Sequence, residues 1–480
     1  MRRQSLALLA LWIAGVGCSV GPDFQRPAAP TTRGYTPEPA NATAPVAGKS
    51  QRFVDGQSIG AYWKLLRCSA LDTIVSQALA SNPGLEAARA TLRQSQDSLR
   101  AGYGVFFPQV DAKAGASRQL YNPAPGSLPS ETFNLFTLSG TVSYALDIWG
   151  GARRQVEALG AEVDAQRYTL AGAYVMLTSN VVDAIIAEAA YRDEIDATKA
   201  TIVLLREQVR IANAQMTGGT VSYANVLALQ SQVASTEATV APFEQKVDQA
   251  AHLLAALSGT DPANWHQPSV ALSDLQLPED LPLTLPSQLV RQRPDILVAE
   301  AELHAANANI GVATAAMLPN LTLSAGYGVN GIAADRLFAA GSPFWSVGAG
   351  LAQPIFHGVA LYHQRKAAVD ARDAAAAEYR QTVLGAFQQV ADQLRGLSHD
   401  AEALAAQTEA VDTAARAMRL IQANYQAGIA TYLQVLVADG QYLQTRIGYA
   451  QAVAQRLQDF VALCVALGGG WWNAAPSSLG

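Results

Sequence analysis

The feature that most constrains the fold of this chain is an internal duplication. The segments 83–108 and 294–319 each begin and end at a proline and have the same length. A later pair of matching segments, 219–227 and 428–436, is offset by 209 residues. Landmarks that recur in the same order are typical of a repeat in which each copy forms one supersecondary unit. The sequence therefore predicts two copies of one structural repeat.

Each predicted repeat contains two segments in which apolar and polar residues alternate. They lie at about 109–120 and 136–149 in the first copy, and at about 320–331 and 344–356 in the second. A period of two places the apolar set on one face of a strand. The pattern fits transmembrane barrel strands, and it fits a half-buried sheet on a soluble domain equally well. Four strands cannot close a barrel, because about eight is the smallest common number, so a barrel requires several chains.

Long alanine-rich segments follow the strands in both copies. The segments 152–216 and 360–426 each predict a helix, roughly 100 Å long if it is continuous. Apolar residues within them recur at coiled-coil spacing. Each segment ends at a glycine-containing turn, after which a shorter helix returns. Beyond the N-terminus no run of about 18 apolar residues occurs, so the sequence predicts no membrane-spanning helix.

The first residues have the order of a secretory signal. Within residues 1–17, two arginines precede an apolar run and a group of small residues. Cys18 follows directly, as in a bacterial lipobox, although Gly15 occupies the position where leucine is usual. Ser19 is compatible with sorting to the outer membrane. The prediction is a lipidated Cys18; the alternative is ordinary cleavage that leaves Cys18 as a free thiol.

Composition divides the rest of the chain. Residues 18–60 are rich in Pro, Ala and Thr and predict an extended tether. The first repeat is assigned to 61–260 and the second to 291–471, each with a helix, two strands, a long helix and a return helix. A second proline-rich segment, 261–290, links them, and 472–480 form a C-terminal tail.

Several function classes find no support in the sequence. The net charge of −6 and the pI near 5.6 argue against nucleic-acid binding. No metal-ligand spacing, nucleophile elbow or phosphate-binding loop occurs, so neither an enzyme nor a cofactor is predicted, apart from covalent lipid on Cys18. A structural coiled-coil protein or adhesin would explain the heptads and not the strands. Cys68 and Cys464 are predicted as buried free thiols, with a disulfide between them as the alternative.

Five short motifs carry a family resemblance. In chain order they are CSVGPDFQRP (18–27), YWK (62–64), LDIWG (146–150), RPDILVAE (293–300) and ALGGGW (466–471). With them the chain resembles the outer-membrane factor family of TolC-type channels. The resemblance covers nearly the whole mature chain and is strongest to the lipoprotein (OprM- and NodT-like) branch, which serves resistance-nodulation-division efflux systems.

The resemblance implies an α+β membrane protein that acts as a homotrimer. Twelve strands, four from each chain, would form one outer-membrane β-barrel, continued by a long periplasmic α-helical barrel. The implied partners are a periplasmic adaptor protein, an inner-membrane resistance-nodulation-division transporter and outer-membrane lipid. The implied function is a passive exit duct for small molecules such as drugs; the alternative is the exit channel of a type I protein secretion system. The exported substrate cannot be read from the sequence.

The resemblance also assigns roles to residues at the periplasmic tip. The helix-hairpin turns and the adaptor-docking surface would include Gly218, Gly219, Tyr223, Gly428 and Tyr432. The family's constriction typically has a leucine and, four positions on, an aspartate. Here these positions hold Leu433 and Val437, while Asp439 lies about 200° around the helix from Val437. An apolar gate of Leu433 and Val437 is one reading, and simple coiled-coil packing of Val437 is the other.

Overall fold

The computed structural model describes residues 19–32, 34–37, 51–55, 60–122, 130–266 and 268–473. Cys18, the signal segment 1–17 and the tail beyond residue 473 lie outside the described residues. The chain separates into two compact units, which are described in turn. The first contains residues 19–27, 93–165 and 299–379, and the second contains the rest.

The described residues form nine α-helices and six strands. The helices are α1 (Ser69–Ser81), α2 (Pro83–Gly102), α3 (Gly151–Thr217), α4 (Tyr223–Ala238), α5 (Val240–Leu257), α6 (Pro286–Gln292), α7 (Pro294–Ala315), α8 (Ala360–Gln426) and α9 (Tyr432–Ala466). The strands are β1 (Arg52–Asp55), β2 (Gln109–Tyr121), β3 (Glu131–Leu146), β4 (Asp280–Leu283), β5 (Asn320–Gly331) and β6 (Pro343–Ala352).

The first unit is organised around a four-stranded antiparallel sheet with the order β2-β3-β5-β6. Its register aligns the two sets of alternating residues across all four strands. One row consists of Val110, Val142, Ala325 and Val347. The next row, on the opposite face, consists of Asp111, Thr141, Gly326 and Ser346. The sheet therefore has one apolar and one polar face, as the period of two predicts.

Among the residues that the structure describes, none covers either face of this sheet. Every residue of β2 is exposed, and on β6 the side chains of Trp345 and Val347 are each 75% exposed. The two edge strands, β2 and β6, each have only one neighbour. The described part of the sheet therefore has no apolar core of its own.

Two predicted strands have different ends in the structure. The strand predicted at 136–149 occupies Glu131–Leu146, and the one predicted at 344–356 stops at Ala352. At the first site the carboxylate of Asp147 accepts hydrogen bonds from the backbone N–H groups of Ala152 and Arg153, both at 3.0 Å. Asp147 thus satisfies free N–H groups at the start of α3, and the chain leaves the sheet there.

The long helices correspond residue for residue. Helices α3 and α8 each contain 67 residues, and their first residues are offset by 209, as are those of α4 and α9. The return paths differ, since α9 is continuous over 35 residues whereas α4 and α5 are separated at Thr239. Pro242, in the first turn of α5, explains the break. Proline lacks a backbone donor and clashes with the carbonyl four residues earlier.

The core of the second unit lies among its helices. Tyr62 and Phe460 are completely buried there, as are Leu71, Val182 and Ile186. A short parallel pair, β1 with β4, joins the two proline-rich segments of the chain. Cys68 and Cys464 are both buried free thiols, so the structure contains no bridge between them.

One helix is long and apolar enough to cross a membrane by length and composition alone. It is α3, and 67% of its most apolar 18-residue window is buried inside the protein. This window is not an uninterrupted apolar run, which is the criterion on which the sequence prediction of no membrane-spanning helix rests. Burial accounts for the apolar residues of this window, as in the core helices of soluble proteins.

Candidate functional site

The candidate site is the pair of helix hairpins formed by α3 with α4 and by α8 with α9. In the first turn, Gly219 has a φ of +75° and its N–H donates to the carbonyl of Met216 at 2.9 Å. The N–H of Thr220 donates to the carbonyl of Gln215 at 3.0 Å. Bonds of this kind satisfy the last carbonyls of a helix, and the left-handed residue favours glycine. Gly218, which precedes it, has an ordinary φ.

The second turn repeats this geometry. Gly428 has a φ of +78°, and its N–H donates to the carbonyl of Tyr425 at 3.0 Å. Helix α9 then begins after Thr431, whose backbone N–H donates to the Oε1 of Gln434 at 2.7 Å. A side chain that reaches back to the residue before the helix is one half of a capping box. The long helices end at Thr217 and Gln426, just before the turns that contain Gly218, Gly219 and Gly428.

A small apolar cluster packs the two hairpins together. It consists of Ala212, Val226 and Leu229, each at most 1% exposed, and Tyr432 packs against it. The hydroxyl of Tyr425 adds a hydrogen bond to the Oε1 of Gln215 at 2.8 Å. Tyr432 is thus an internal contact between the hairpins.

Asp439 lies inside the hairpins and has two amide partners. Its carboxylate accepts a hydrogen bond from Gln208 of α3, and a second, at 3.0 Å, from Gln422 of α8. Burial raises the pKa of Asp439 above its ordinary value, and the hydrogen bonds from the two glutamines oppose this only in part. With 1% of its surface exposed, Asp439 ties three helices together.

Leu433 and Val437 occupy a different face of α9. Their side chains are 64% and 63% exposed in the single chain. They border an open groove of about 420 Å³ between α8 and α9, whose other lining residues are Ala414, Ala417, Ile421, Gln434, Ala438 and Gln441. The structure thus separates the three predicted gate residues. Leu433 and Val437 share an exposed apolar face, and Asp439 does not lie on it.

Exposed side chains also distinguish the two turns. Tyr223 is 61% exposed at the start of α4, whereas its counterpart Tyr432 is half-buried. Ile429, just beyond the second turn, is 77% exposed. These apolar groups are available to another protein surface. Of the two tyrosines assigned to docking, only Tyr223 has this exposure.

Sequence reasoning missed the partners of Asp439. Gln208 lies on the same face of α3 as Leu205 and Ala212, which are each 1% exposed. Although Gln208 is polar, it is also buried, with 7% of its surface exposed. A polar residue in an apolar stripe is a signal that it has a buried partner. The residues that the structure describes include no group of three or more His, Cys, Asp or Glu side chains able to hold a metal ion.

Comparison with known proteins identifies a family model that matches most of the chain. A family model described as outer membrane efflux protein matches residues 74–260 and again 285–469. The chain is 28% identical over 480 residues to the pyoverdine export outer membrane protein OpmQ of Pseudomonas putida, with 99% of each chain covered. It is 26% identical over 476 residues to the probable outer membrane lipoprotein SilC of Salmonella typhimurium, covering 97% of this chain and 98% of that one.

A solved structure has the same fold. The outer-membrane channel OprN is 25% identical to this chain and superimposes with a TM-score of 0.85. The similarity covers 95% of this chain and all of OprN.

Proposed function

The chain belongs to the outer membrane efflux protein family, and we propose that three copies of it form the exit duct of a tripartite efflux pump. As an outer-membrane efflux channel it releases small molecules from the cell, and this family membership favours efflux over type I protein secretion. Its partners are a periplasmic adaptor and an inner-membrane resistance-nodulation-division transporter. The channel acts by opening, without catalysis.

The open sheet of the first unit is the observation that supports this proposal most directly. Its apolar face exposes large side chains, among them Trp345, Val347 and Leu351, and its two edges are unpaired. In lipid an unpaired edge would leave backbone groups without hydrogen bonds. Further copies that pair β2 with β6 would satisfy both edges and close a barrel. Three copies give twelve strands, with the apolar face towards the lipid.

The helices support the second half of the duct. Helices α3 and α8 have equal lengths and the same offset as the landmarks in the sequence, which fits two structural repeats. Copies arranged around a common axis would continue the barrel as a helical tunnel in the periplasm. Lipidation of Cys18 would anchor each copy in the outer membrane.

The closed state is assigned to the exposed face of α9. Leu433 and Val437 from neighbouring copies would meet at the axis and form an apolar constriction, which excludes water and ions by dewetting. Asp439 has a different role in this proposal. It holds α9 against α3 and α8 and so keeps the face of Leu433 and Val437 in position.

The proposed function is tested by a deletion strain complemented with the wild-type gene. The strain should become several-fold more sensitive to part of a panel of antibiotics, dyes and metals, and the gene should restore resistance. The purified protein should migrate as a heat-modifiable trimer, because a closed barrel unfolds only on boiling. Unchanged sensitivity to the whole panel, together with a monomer that extracts without detergent, would sink the proposal.

The gate is tested separately by Leu433→Ala and Val437→Ala. Each should raise the leakage of a large antibiotic through the outer membrane, and the double variant should raise it by about tenfold, because the apolar ring is lost. Leu227→Ala is the matched control, since Leu227 is 46% exposed on the first hairpin. Wild-type permeability in the double variant would show that these residues do not form the gate.

A further inference from the structure

The chain directly after Cys18 lies in a seat built from glycines. The sequence predicts an extended tether here and gives no sign of the contacts. Gly150 has a φ of +76°, and a Cβ placed on it would be 2.8 Å from the Cα of Ser19. Gly21 has a φ of +92°, and its Cβ would be 2.5 Å from the Cα of Gly311 in α7. A Cβ on Gly311 would lie 2.8 Å from the carbonyl oxygen of Val20. Backbone meets backbone at all three positions, which no other residue type permits.

A buried arginine holds the same segment by its charge. Arg154 of α3 is 5% exposed, and its guanidinium is 2.6 Å from the carboxylate of Asp23 and 2.8 Å from that of Glu157. It also donates to the carbonyl of Val20 at 3.3 Å. Asp23 thus supplies one of the two charges that neutralise a buried cation.

Helix α7 provides the other wall of the seat. The amide of Asn307 donates to the carbonyl of Pro22 at 2.9 Å, and the ring of Phe24 stacks on that of His304 with centroids 4.2 Å apart. Arg26 forms an ion pair with Glu300. Residues 21–26 therefore contact α7 at four positions in sequence order: Gly21, Pro22, Phe24 and Arg26.

The geometry points to a role for this segment beyond carrying a lipid: residues 19–26 are a clasp that binds the start of α3 to α7. Helix α3 comes from the first repeat and α7 from the second, so the clasp joins the two repeats within the first unit. Gly311 is evidence for this role. Glycine inside a helix is less favourable than alanine, and here a Cβ would meet both the Arg154 side chain of α3, at 2.6 Å, and the Val20 carbonyl oxygen of the clasp, at 2.8 Å.

The clasp also determines where the residues next to Cys18, the proposed lipidation site, lie. The N–H of Val20 donates to the carbonyl of Trp149 at 2.9 Å, and the indole N–H of Trp149 donates to the carbonyl of Pro319 at 2.8 Å. These residues lie where β3 ends and β5 begins. Ser19, which follows Cys18 directly in the sequence, contacts Gly150 at this edge of the sheet. The lipid would therefore enter the membrane beside the helix-side ends of the strands. This last step rests on the proposed lipidation of Cys18; the clasp itself does not.

Limited chymotrypsin digestion of the purified, detergent-solubilised protein tests the clasp. Cleavage after Phe24 requires the segment to leave its seat, so release of the N-terminal peptide follows the open fraction. We expect release from the wild type to be at least about a hundredfold slower than from a synthetic peptide of residues 19–30. Gly311→Ala should accelerate release about tenfold. Gly160→Ala should not, because Gly160 lies within α3 and nothing is within 4 Å of its Cβ.

A second pair of variants keeps the test decisive should Gly311→Ala fail to assemble. Asp23→Ala and Gly21→Ala alter the segment and leave both helices intact, and both should accelerate release. Wild-type protein cut as fast as the peptide, or variants of the segment cut no faster than wild type, would overturn the clasp. The mass of the released peptide reports lipid on Cys18 independently, so an unlipidated peptide would count only against the anchor.

Discussion

The two hairpins of the second unit share a backbone plan. Gly219 and Gly428 end the long helices at φ values of +75° and +78°. Val226 and Val435, which are equivalent by the offset of 209, are 0% and 1% exposed. The positions that determine the course of the chain and its internal packing are therefore alike in both copies.

The side chains on these similar backbones differ in function. Where the second hairpin exposes Leu433 and Val437, the first has alanine at both equivalent positions. Where the second buries Asp439 between two glutamines, the first exposes Gln230. The repeat therefore determines the positions of the side chains, whereas the residue types decide which hairpin has an exposed apolar face and which has a buried carboxylate.

The largest loss of stability is expected in α9, which is continuous where the first repeat has the two helices α4 and α5. Gln451 is the position in α9 equivalent to Pro242, and Gln451→Pro should destabilise the second unit by about 3 kcal/mol or more. The helical circular dichroism signal of the detergent-solubilised protein should melt at a clearly lower temperature. Gln451→Ala controls for the hydrogen bond from Gln451 to Glu194, which is 3.0 Å long. Equal melting of the two variants would contradict the explanation of the break by Pro242.

The next largest loss of stability is expected when the buried carboxylate of Asp439 is removed. Asp439→Leu leaves the buried amide of Gln208 and the half-buried amide of Gln422 without their acceptor, so it should cost about 2 kcal/mol. Asp439→Asn keeps one acceptor oxygen and should cost less. Gln230→Leu, at the equivalent exposed position, should stay within about 0.5 kcal/mol of wild type. The measurement is the same thermal melt, and equal losses for Leu at both positions would remove the distinction between the hairpins.

A smaller and equal effect is expected at the two turns. Gly219→Ala and Gly428→Ala should each cost about 1 kcal/mol, because alanine is strained at positive φ. Gly218→Ala is the control within the first turn, since its Cβ would meet the nearest atom at 3.6 Å. Unequal losses of stability at Gly219 and Gly428 would show that the two turns do not require glycine to the same degree.

The last prediction concerns a pH dependence of stability to which Asp400 of the second repeat contributes. Burial, together with a hydrogen bond and the charge of Asp459, raises the pKa of Asp400 to about 7, against the opposing effect of Arg456. The equivalent position in the first repeat is Tyr191. Because the folded chain then binds a proton that the unfolded chain releases near pH 4, stability should rise as the pH falls from about 7 to 4.

Asp400→Asn should reduce this rise but not abolish it, because burial also raises the pKa of Asp183 to about 6. Asp412→Asn, at an exposed position on the same helix as Asp400, should leave the rise unchanged. Melting temperatures measured at half-unit pH intervals would reveal the difference. The raised pKa of Asp400 would be contradicted if the melting temperature of the wild type fell as the pH was lowered from 7 to 4 and Asp400→Asn behaved in the same way.

Periodicity predicted most of the elements, and it did so for a physical reason. The alternation around Val142 and the coiled-coil spacing around Val390 each place apolar residues on one side of the element, which is a local property of the sequence. The turn at Gly428 was predictable for the same reason, since only a few residue types tolerate positive φ.

Contacts between distant segments were not predictable in this way. Asp439 meets Gln208, 231 residues earlier in the chain, and Gly21 meets Gly311 in another helix. No period connects such residues, because their meeting depends on how whole helices pack. The end of β3 also escaped prediction, since the alternation continues to Ile148 while the capping role of Asp147 ends the strand.

The uncovered sheet has a genetic consequence. Since each duct would draw its wall from three chains, a copy with defective edge strands would disable the intact copies with which it assembles. With equal amounts of normal and defective chains mixing at random, only about one duct in eight would consist of normal chains alone. Alleles that damage β2 or β6 should therefore be dominant over the wild-type gene, whereas alleles that prevent synthesis should be recessive.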